Sequence, residues 1–578
     1  MTIMKKTTLY TSAIAAACIT ALTFAGIATA ENIIVKNGST VAWTGDETTV
    51  DRVELNDAKT ELSVKAANGD ALWSGAVNGL TITFGDAPTP PPTGNRPVAD
   101  LLDIVFNADG TATDVSAAGK KVKVFGQPTV AYSQTYSRYV ATFTNEMGKG
   151  VQMSYRVDYN DDQAYKDKLA DGHTMEAVFM ANYEGEFPNV EAKPFASHQG
   201  GGTGLMVCQP KNGKDGKSEL TFLPNTSTDG KSGWRWATSG VYPEAKKFYH
   251  VVGVYNKDEQ KAYVYVNGQL MNTADCPGNF NFATGTSRWW CIGGDSDNSN
   301  GGNAWNGSVA IARVYDKPLT QEEVSQLYAD VEAEETKPVA DMMDIVFNAD
   351  GSAADVSAFA KGVTKFGEPT MTYNRDFDRY VATFANDMGA ANENVKDYYR
   401  VDYATDQTFK DKLSDGHTLE AIYAANYDED IFPNVEAKPF ASHQAGGTGL
   451  MVCRVANGKD GKNELTFLPN TTGTGWCWAT SGVYPEKTVY YHVVGVYNKD
   501  EQKAYVYVNG ELKNTVDALD DFKFAPDAAQ WFAIGADSNS GGPGNAWKGD
   551  VTATRIYDAP LTAEQVATLF RASGVTTK

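Results

Sequence analysis

Positive charge is scarce in this chain. It has 50 lysine and arginine residues against 72 aspartate and glutamate residues, a formal net charge of −22. A polyanion repels phosphate backbones, so nucleic acid is excluded as a partner. Long apolar runs are also scarce. The only one lies at the start, between Ala13 and Ile27, so no transmembrane segment is expected after it. Basic Lys5 and Lys6 precede this run and Ala28-Thr29-Ala30 follow it, which is the pattern of a secretory leader cleaved after Ala30. The mature chain is expected to be exported to the cell surface, the periplasm or the medium. A lipoprotein cut before Cys18 fits less well, because residues 19–30 stay apolar where a tether should be polar.

Catalytic patterns are missing too. No GxSxG, HExxH or phosphate-binding glycine loop occurs, and no E-x-D-x-x-E strand offers the paired carboxyls of a retaining glycosidase. Glu176 and Glu420 each stand alone among apolar neighbours. The six histidines fall singly, at 173, 198, 250, 417, 443 and 492, and are expected to be structural. The reading is of a protein that is not an enzyme.

What the chain has is repetition. YHVVGVYNKDEQKAYVYVNG at 249–268 recurs letter for letter at 491–510, and PVADLLDIVFNADG at Pro97 returns as PVADMMDIVFNADG at Pro338. KPFASH at Lys193 returns at Lys438, and IGGDS at Ile292 returns as IGADS at Ile534. A repeat of about 240 residues is too long for a solenoid unit and is the size of a domain. The expected organisation is a leader at 1–30, a small β-rich domain at 31–86, a proline-rich linker at 87–96, copy one at 97–330, an acidic linker at 331–337 and copy two at 338–578.

Each copy alternates apolar and polar residues over short stretches separated by turn signals, the pattern of an antiparallel sandwich. Asn267-Gly268 and Asn509-Gly510 favour tight primed turns. Thr320 with Glu323, and Thr562 with Gln565, are capping boxes that predict one closing helix per copy.

Five cysteines follow the leader. Cys276 and Cys291 of copy one align with Ala518 and Ala533, so they are present together and absent together, which predicts a disulfide between them. A second bridge is expected between Cys453 and Cys477, leaving Cys208 free.

The succession YHVVGVY, turn, AYVYVNG, IGGDS, then Trp305-Asn306-Gly307-Ser308-Val309-Ala310 and RVYDKPLTQEEV resembles the laminin-G-like group of concanavalin A-like lectin/glucanase domains. The resemblance covers both copies and implies an all-β chain of two tandem jelly-roll sandwiches behind a small β-rich domain. It also implies a module of the kind that binds glycans or proteins. Two groups of residues fit that expectation. Trp234, Trp236 and Trp305, with Trp476, Trp478 and Trp547 in copy two, either fill the core or stack on sugar rings. Asp295 and Asp297, with Asp537 and Asn539, lie in glycine-rich loops that either wrap calcium or form solvated turns. The expected partner is a glycan or polysaccharide. The alternatives are an adhesive surface that binds another surface protein and, more remotely, a divergent glycoside hydrolase.

Overall fold

The structure, a computed structural model, describes residues 96–297, 301–428, 431–539 and 542–576, together with the backbone of eight strands between Leu9 and Gly85. The expected leader lies outside the described residues except for Leu9–Tyr10 and Ala21–Thr23, and the expected linker does so except for Arg96.

The chain divides into two compact units, Met1–Gly94 and Asn95–Lys578. The first contains two four-stranded antiparallel sheets. In one, Asn32–Asn37 pairs with Thr40–Asp46 and with Leu80–Gly85. The other holds Arg52–Leu55, Glu61–Lys65 and Ala71–Ala76 as a meander. These strands fall within the small β-rich domain expected at 31–86.

The second unit holds both repeats, and each is a two-sheet sandwich. In copy one, the longest strands of the nine-stranded sheet are Asn306–Tyr315, His173–Ala181 and Phe248–Asn256, adjacent in that order. The facing seven-stranded sheet runs Val122–Phe125, Ser154–Asp158, Trp289–Ile292, Ala192–His198, Gly202–Val207, Leu220–Phe222, Ala237–Thr238. Copy two repeats both orders strand for strand. Phe179, Val251 and Val264 meet Phe195, Leu205 and Phe222 between the sheets. The glycine in YHVVGVY belongs to this packing: a Cβ on Gly253 would lie 2.1 Å from the Phe222 ring, and one on Gly495 would lie 2.1 Å from Phe467. The sheets close to contact only because that side chain is missing.

The local signals form as expected. Asn267 and Gly268 both have positive φ, 48° and 72°, as a primed turn requires. Both capping boxes are made. The helices α1 (Gln163–Asp171) and α3 (Gln407–Asp415) each start on an aspartate cap. The helices α2 (Gln321–Thr336) and α4 (Ala563–Arg571) close the copies. Here the expected organisation needs correction: residues 331–336 are not a linker but the last turns of α2. Val331 is buried against Tyr136, Val178 and Ile311, which keeps the helix going.

The cysteines need correction too. All five are buried free thiols, and neither expected bridge is formed. Cys276 faces the core, beside Thr226 and Arg235. Cys291 alternates with core-facing Trp290 and Ile292, so it points out of the other side of its sheet, beside Ser154 and Asp295. Cys453 packs outside the seven-stranded sheet with Met451 and Leu468, whereas Cys477 lies in the core. The exchange that matters is between positions 276 and 235. Copy one has Cys276 next to Arg235, and at the matching positions copy two has Ala518 and Cys477, both in one core cluster.

The two sandwiches meet through the outer faces of their nine-stranded sheets, by matching contacts in both directions. Gln134 of copy one donates to the Val356 carbonyl (2.9 Å), and Arg375, at the position matching Gln134, donates to the Val115 carbonyl (2.6 Å). Asp378 of copy two pairs with Arg313 and Arg138 of copy one. Ser137, which matches Asp378, accepts from Arg555 (3.4 Å), which matches Arg313. The buried Lys337 donates to Ser137 at 2.6 Å. Reciprocal contacts of this kind describe a pseudo-twofold pair.

Candidate functional site

The KPFASH segment builds the site. Its proline sits inside a strand, where no ladder hydrogen bond can be donated, and the register shifts between Ala192 and Phe195 in copy one and between Ala437 and Phe440 in copy two. A bulge is where a sheet tolerates proline, and it re-aims the neighbouring side chain. Lys193 is thereby turned to the outer face of the seven-stranded sheet, the face that also carries His198.

Lys193 Nζ lies 2.6 Å from Asp295 Oδ2 and 2.6 Å from His198 Nδ1, and is fully buried. Asn303 donates to the same carboxylate oxygen at 2.9 Å, and the Gly302 amide donates to the other at 3.0 Å. Burial opposes ionisation of Asp295, but the Lys193 ammonium, aided by hydrogen bonds, outweighs it and holds the carboxyl well below the usual range. Burial and the Lys193 charge push His198 down to about 4. The imidazole is therefore neutral at neutral pH. An ammonium only donates, so Nδ1 accepts and Nε2 carries the proton. That Nε2 has no hydrogen-bond partner within the protein.

Trp234 lies over this histidine, with ring centroids 3.9 Å apart and planes at 32°. It ends the hairpin of Asn225–Thr228 and Lys231–Trp234 and, with Trp236, rests on Met206, Cys208 and Leu223. Both indoles are half-buried. Copy two reproduces the cluster. Lys438 bonds Asp537 (2.6 Å) and His443, Asn545 bonds Asp537 (2.8 Å), and Trp476 lies 3.9 Å from His443 with its Nε2 unpartnered. Trp478 matches Trp236.

Further along the same face, an open cleft of 1180 Å³ is lined by Lys120, Lys123, Arg156, Asn160, Arg288 and Trp289, among others. The Arg156 guanidinium stacks 4.3 Å from the Trp289 ring and bonds Asp158. Arg400 over Trp531 at 4.6 Å is its counterpart in copy two.

The structure thus joins two features that the sequence holds apart, the W-x-W tryptophans and the Asp295 loop, through Lys193 and His198. One expectation is overturned. Trp305 and Trp547 are fully buried, edge-on to Phe179 and Tyr423, and cannot reach a ligand. The donor set at Asp295 and Asp537 does not fit calcium, because a lysine ammonium already neutralises each carboxylate. Among the described residues no cluster of three or more acids, histidines or cysteines fits a metal ion. Asp297 is half-buried, with its backbone in the turn closed by the Gly301 amide; Asn539 pairs with Gly542 in the matching turn.

Glu176 and Glu420 are fully buried on the opposite sheet. Glu176 is bound by Tyr315 (2.5 Å), His250 (3.1 Å) and Arg313 (3.5 Å). Burial disfavours its charge, but Arg313 and then His250 outweigh that and hold it well below the usual carboxylate range. Glu420 has the same partners in Tyr557, His492 and Arg555. Both are structural ion networks. Among the described residues no helix is long and apolar enough to cross a membrane.

No curated protein matches the chain in sequence. Similar solved structures include domain 4 of AbnA, a GH43 extracellular arabinanase from Geobacillus stearothermophilus, in complex with arabinotriose (14% identity, 40% of this chain and 99% of that one, TM-score 0.29). The botulinum neurotoxin serotype G binding domain is another (11%, 80% and 98%, 0.32). A third is the CBM40 of the Ruminococcus gnavus IT-sialidase bound to α2,3-sialyllactose (16%, 32% and 96%, 0.24). Likeness at this level says nothing of a ligand for this chain. The laminin-G-type family profile matches residues 185–325 and 431–567, one stretch in each sandwich. The two jelly rolls belong to the concanavalin A-like lectin/glucanases superfamily.

Proposed function

We propose that this chain is an exported, non-catalytic glycan-binding protein that holds sugar on the outer faces of its seven-stranded sheets. The observation that carries the reading is the twice-built cluster in which a half-buried indole lies on a neutral histidine whose Nε2–H lacks a partner. The exposed part of each indole offers a flat apolar surface that suits a sugar ring, and the buried Nε2–H lies beneath it, out of contact with solvent. The buried lysine and aspartate hold the histidine in one orientation, so the platform under the indole is fixed. Engagement of Glu176 and Glu420 in ion networks argues against a hydrolase, since neither is free to give or take a proton. Arabinan and sialyllactose serve as the first probes, one neutral and one acidic.

The test is affinity electrophoresis of the whole chain through arabinan and a panel of neutral and acidic polysaccharides, with and without calcium. Sialyllactose-bearing beads serve as a second format. Retention that is lost on Trp234→Ala combined with Trp476→Ala supports the reading; no retention on any of them refutes it. Cleavage of any glycan would overturn the non-catalytic part. A protein-binding reading has one observation in its favour: the edge strands Gln269–Asp275 and Glu511–Asp517 expose Leu270, Met271 and Leu512.

A further inference from the structure

The faces that carry the candidate sites and the faces that join the two copies lie on opposite sides of each sandwich. In the seven-stranded sheet of copy one, Phe195, Leu205 and Trp290 point to the core, so the alternating Ala196, Met206 and Cys291 point to the site face. In the nine-stranded sheet, Met175 and Ala177 point to the core, so Glu176 and Val178 point to the face where α2 and copy two dock. Copy two alternates in the same way, with Phe440 and Leu450 against Ala441 and Met451, and Leu419 and Ala421 against Glu420 and Ile422.

The joint is built to be rigid. Helix α2 runs from copy one to within one residue of Lys337 without a break. Lys337 is buried and donates to the Gln134 carbonyl and to Ser137. Arg313, Asp378 and Arg555 are all buried at the contact. Both nine-stranded sheets, with α2 and α4 packed on their outer faces, therefore lie between the two site faces. Facing sheets lie about 10 Å apart, so the two site faces are at least roughly 30 Å apart and turned away from each other.

We infer that the chain is a bridge: its two sites open on opposite sides of a rigid pair, each takes a separate glycan strand, and the protein cross-links glycan-bearing surfaces. This rests on the glycan-binding reading of the sites. Linked sites strengthen binding to one strand only where both can engage it together, and here a single strand would have to wrap around the whole molecule.

The test uses the full chain with beads coated in arabinan and beads coated in sialyllactose. Wild type is expected to clump the beads it binds. The Trp234→Ala and Trp476→Ala single variants should still be captured, with affinity for a short soluble oligosaccharide within about twofold per remaining site, yet fail to clump. Capture by wild type without clumping, or clumping by either single variant, overturns the bridge and leaves the binding reading standing. No capture of either bead removes both.

A ligand-independent arm separates geometry from binding. Spin labels at Lys231→Cys and Thr472→Cys, exposed positions in the two tryptophan hairpin regions, are expected to lie more than about 30 Å apart. A shorter separation overturns the bridge whatever the beads do. The five native thiols among the described residues are buried and should stay unlabelled.

Discussion

Replacing Asp378 with asparagine keeps the shape of the side chain and removes one charge from the joint between the jelly rolls. The structure sets the scale of the loss. Asp378 pairs with Arg138 and Arg313 and lies 3.5 Å from Arg96. Burial opposes its ionisation, but the three guanidinium groups outweigh that and hold its pKa well below the ordinary value, so it is charged at neutral pH. Removing one member of a buried ion pair typically destabilises by about 3–5 kcal/mol, because the remaining charge is left in a poor solvent. Arg313 would keep Asp103 at 2.9 Å and Glu176 at 3.5 Å. Arg138 would keep only a bond to the Tyr136 carbonyl. With Arg313 still partnered, the loss belongs near the lower end, about 3 kcal/mol. It should fall on the joint rather than on either core, so the effect is one of coupling. Calorimetry of the wild type is expected to show the jelly rolls melting together, whereas Asp378→Asn should split the endotherm and lower its first part. Urea titration followed by tryptophan fluorescence should show the same separation. If Asp378→Asn melts as one transition with a loss below about 1 kcal/mol, the joint is not held by this ion cluster and the account of it is wrong.

Other consequences can be measured directly. Burial pushes His173 and His417 down to about 4, and burial together with Lys193 does the same to His198. As pH falls, the unfolded chain takes up these protons first, near 6.5, so their contribution is full above that value and is lost towards 4. Between pH 7.5 and 5.5 each should remove about 1.4 kcal/mol of stability, and equal denaturation midpoints at the two pH values would contradict this. Gly253→Ala forces a methyl into the Phe222 ring and should destabilise by about 1–3 kcal/mol; an unchanged melting temperature would show that the sheets can part freely. Non-reducing peptide mapping should recover Cys208, Cys276, Cys291, Cys453 and Cys477 all as free thiols, and a Cys276–Cys291 link would refute their placement on opposite sides of one sheet.

Much of the fold was legible because its signals are local. The Asn-Gly turns, the capping boxes and the alternating strands are each written within a few residues, and each forms where it was read. The site was legible only in pieces. Trp234 and Asp295 were visible as residue types, but Lys193 and His198 join them through strand pairing across about 100 positions, and no local pattern encodes that. The signal that could have found them was the unbroken KPFASH in both copies, with a proline inside a strand marking a bulge. Trp305 failed as a ligand residue because composition does not say which side of a sheet an indole faces. The disulfide failed for the same reason: Cys291 sits one residue from core-facing Trp290, and alternation alone puts it on the other face. Joint loss of two cysteines recorded two separate changes, one of them a repacking around position 235.

The exchange of Ser137 for Asp378 at matching positions of the joint also decides which domain pairs with which. Two copies of the second jelly roll, placed on the same twofold, would each offer Asp378 to the other's Arg555, and both guanidiniums would gain a carboxylate. Two copies of the first would bring Ser137 to Arg313 twice and leave both short of one. The first jelly roll therefore needs the second, while the second is complementary to itself. Within one chain it is the covalent link that selects the mixed pair over the self-complementary one. A cut after α2 followed by separation of the halves would leave one half prone to find its own kind and the other without a suitable mate.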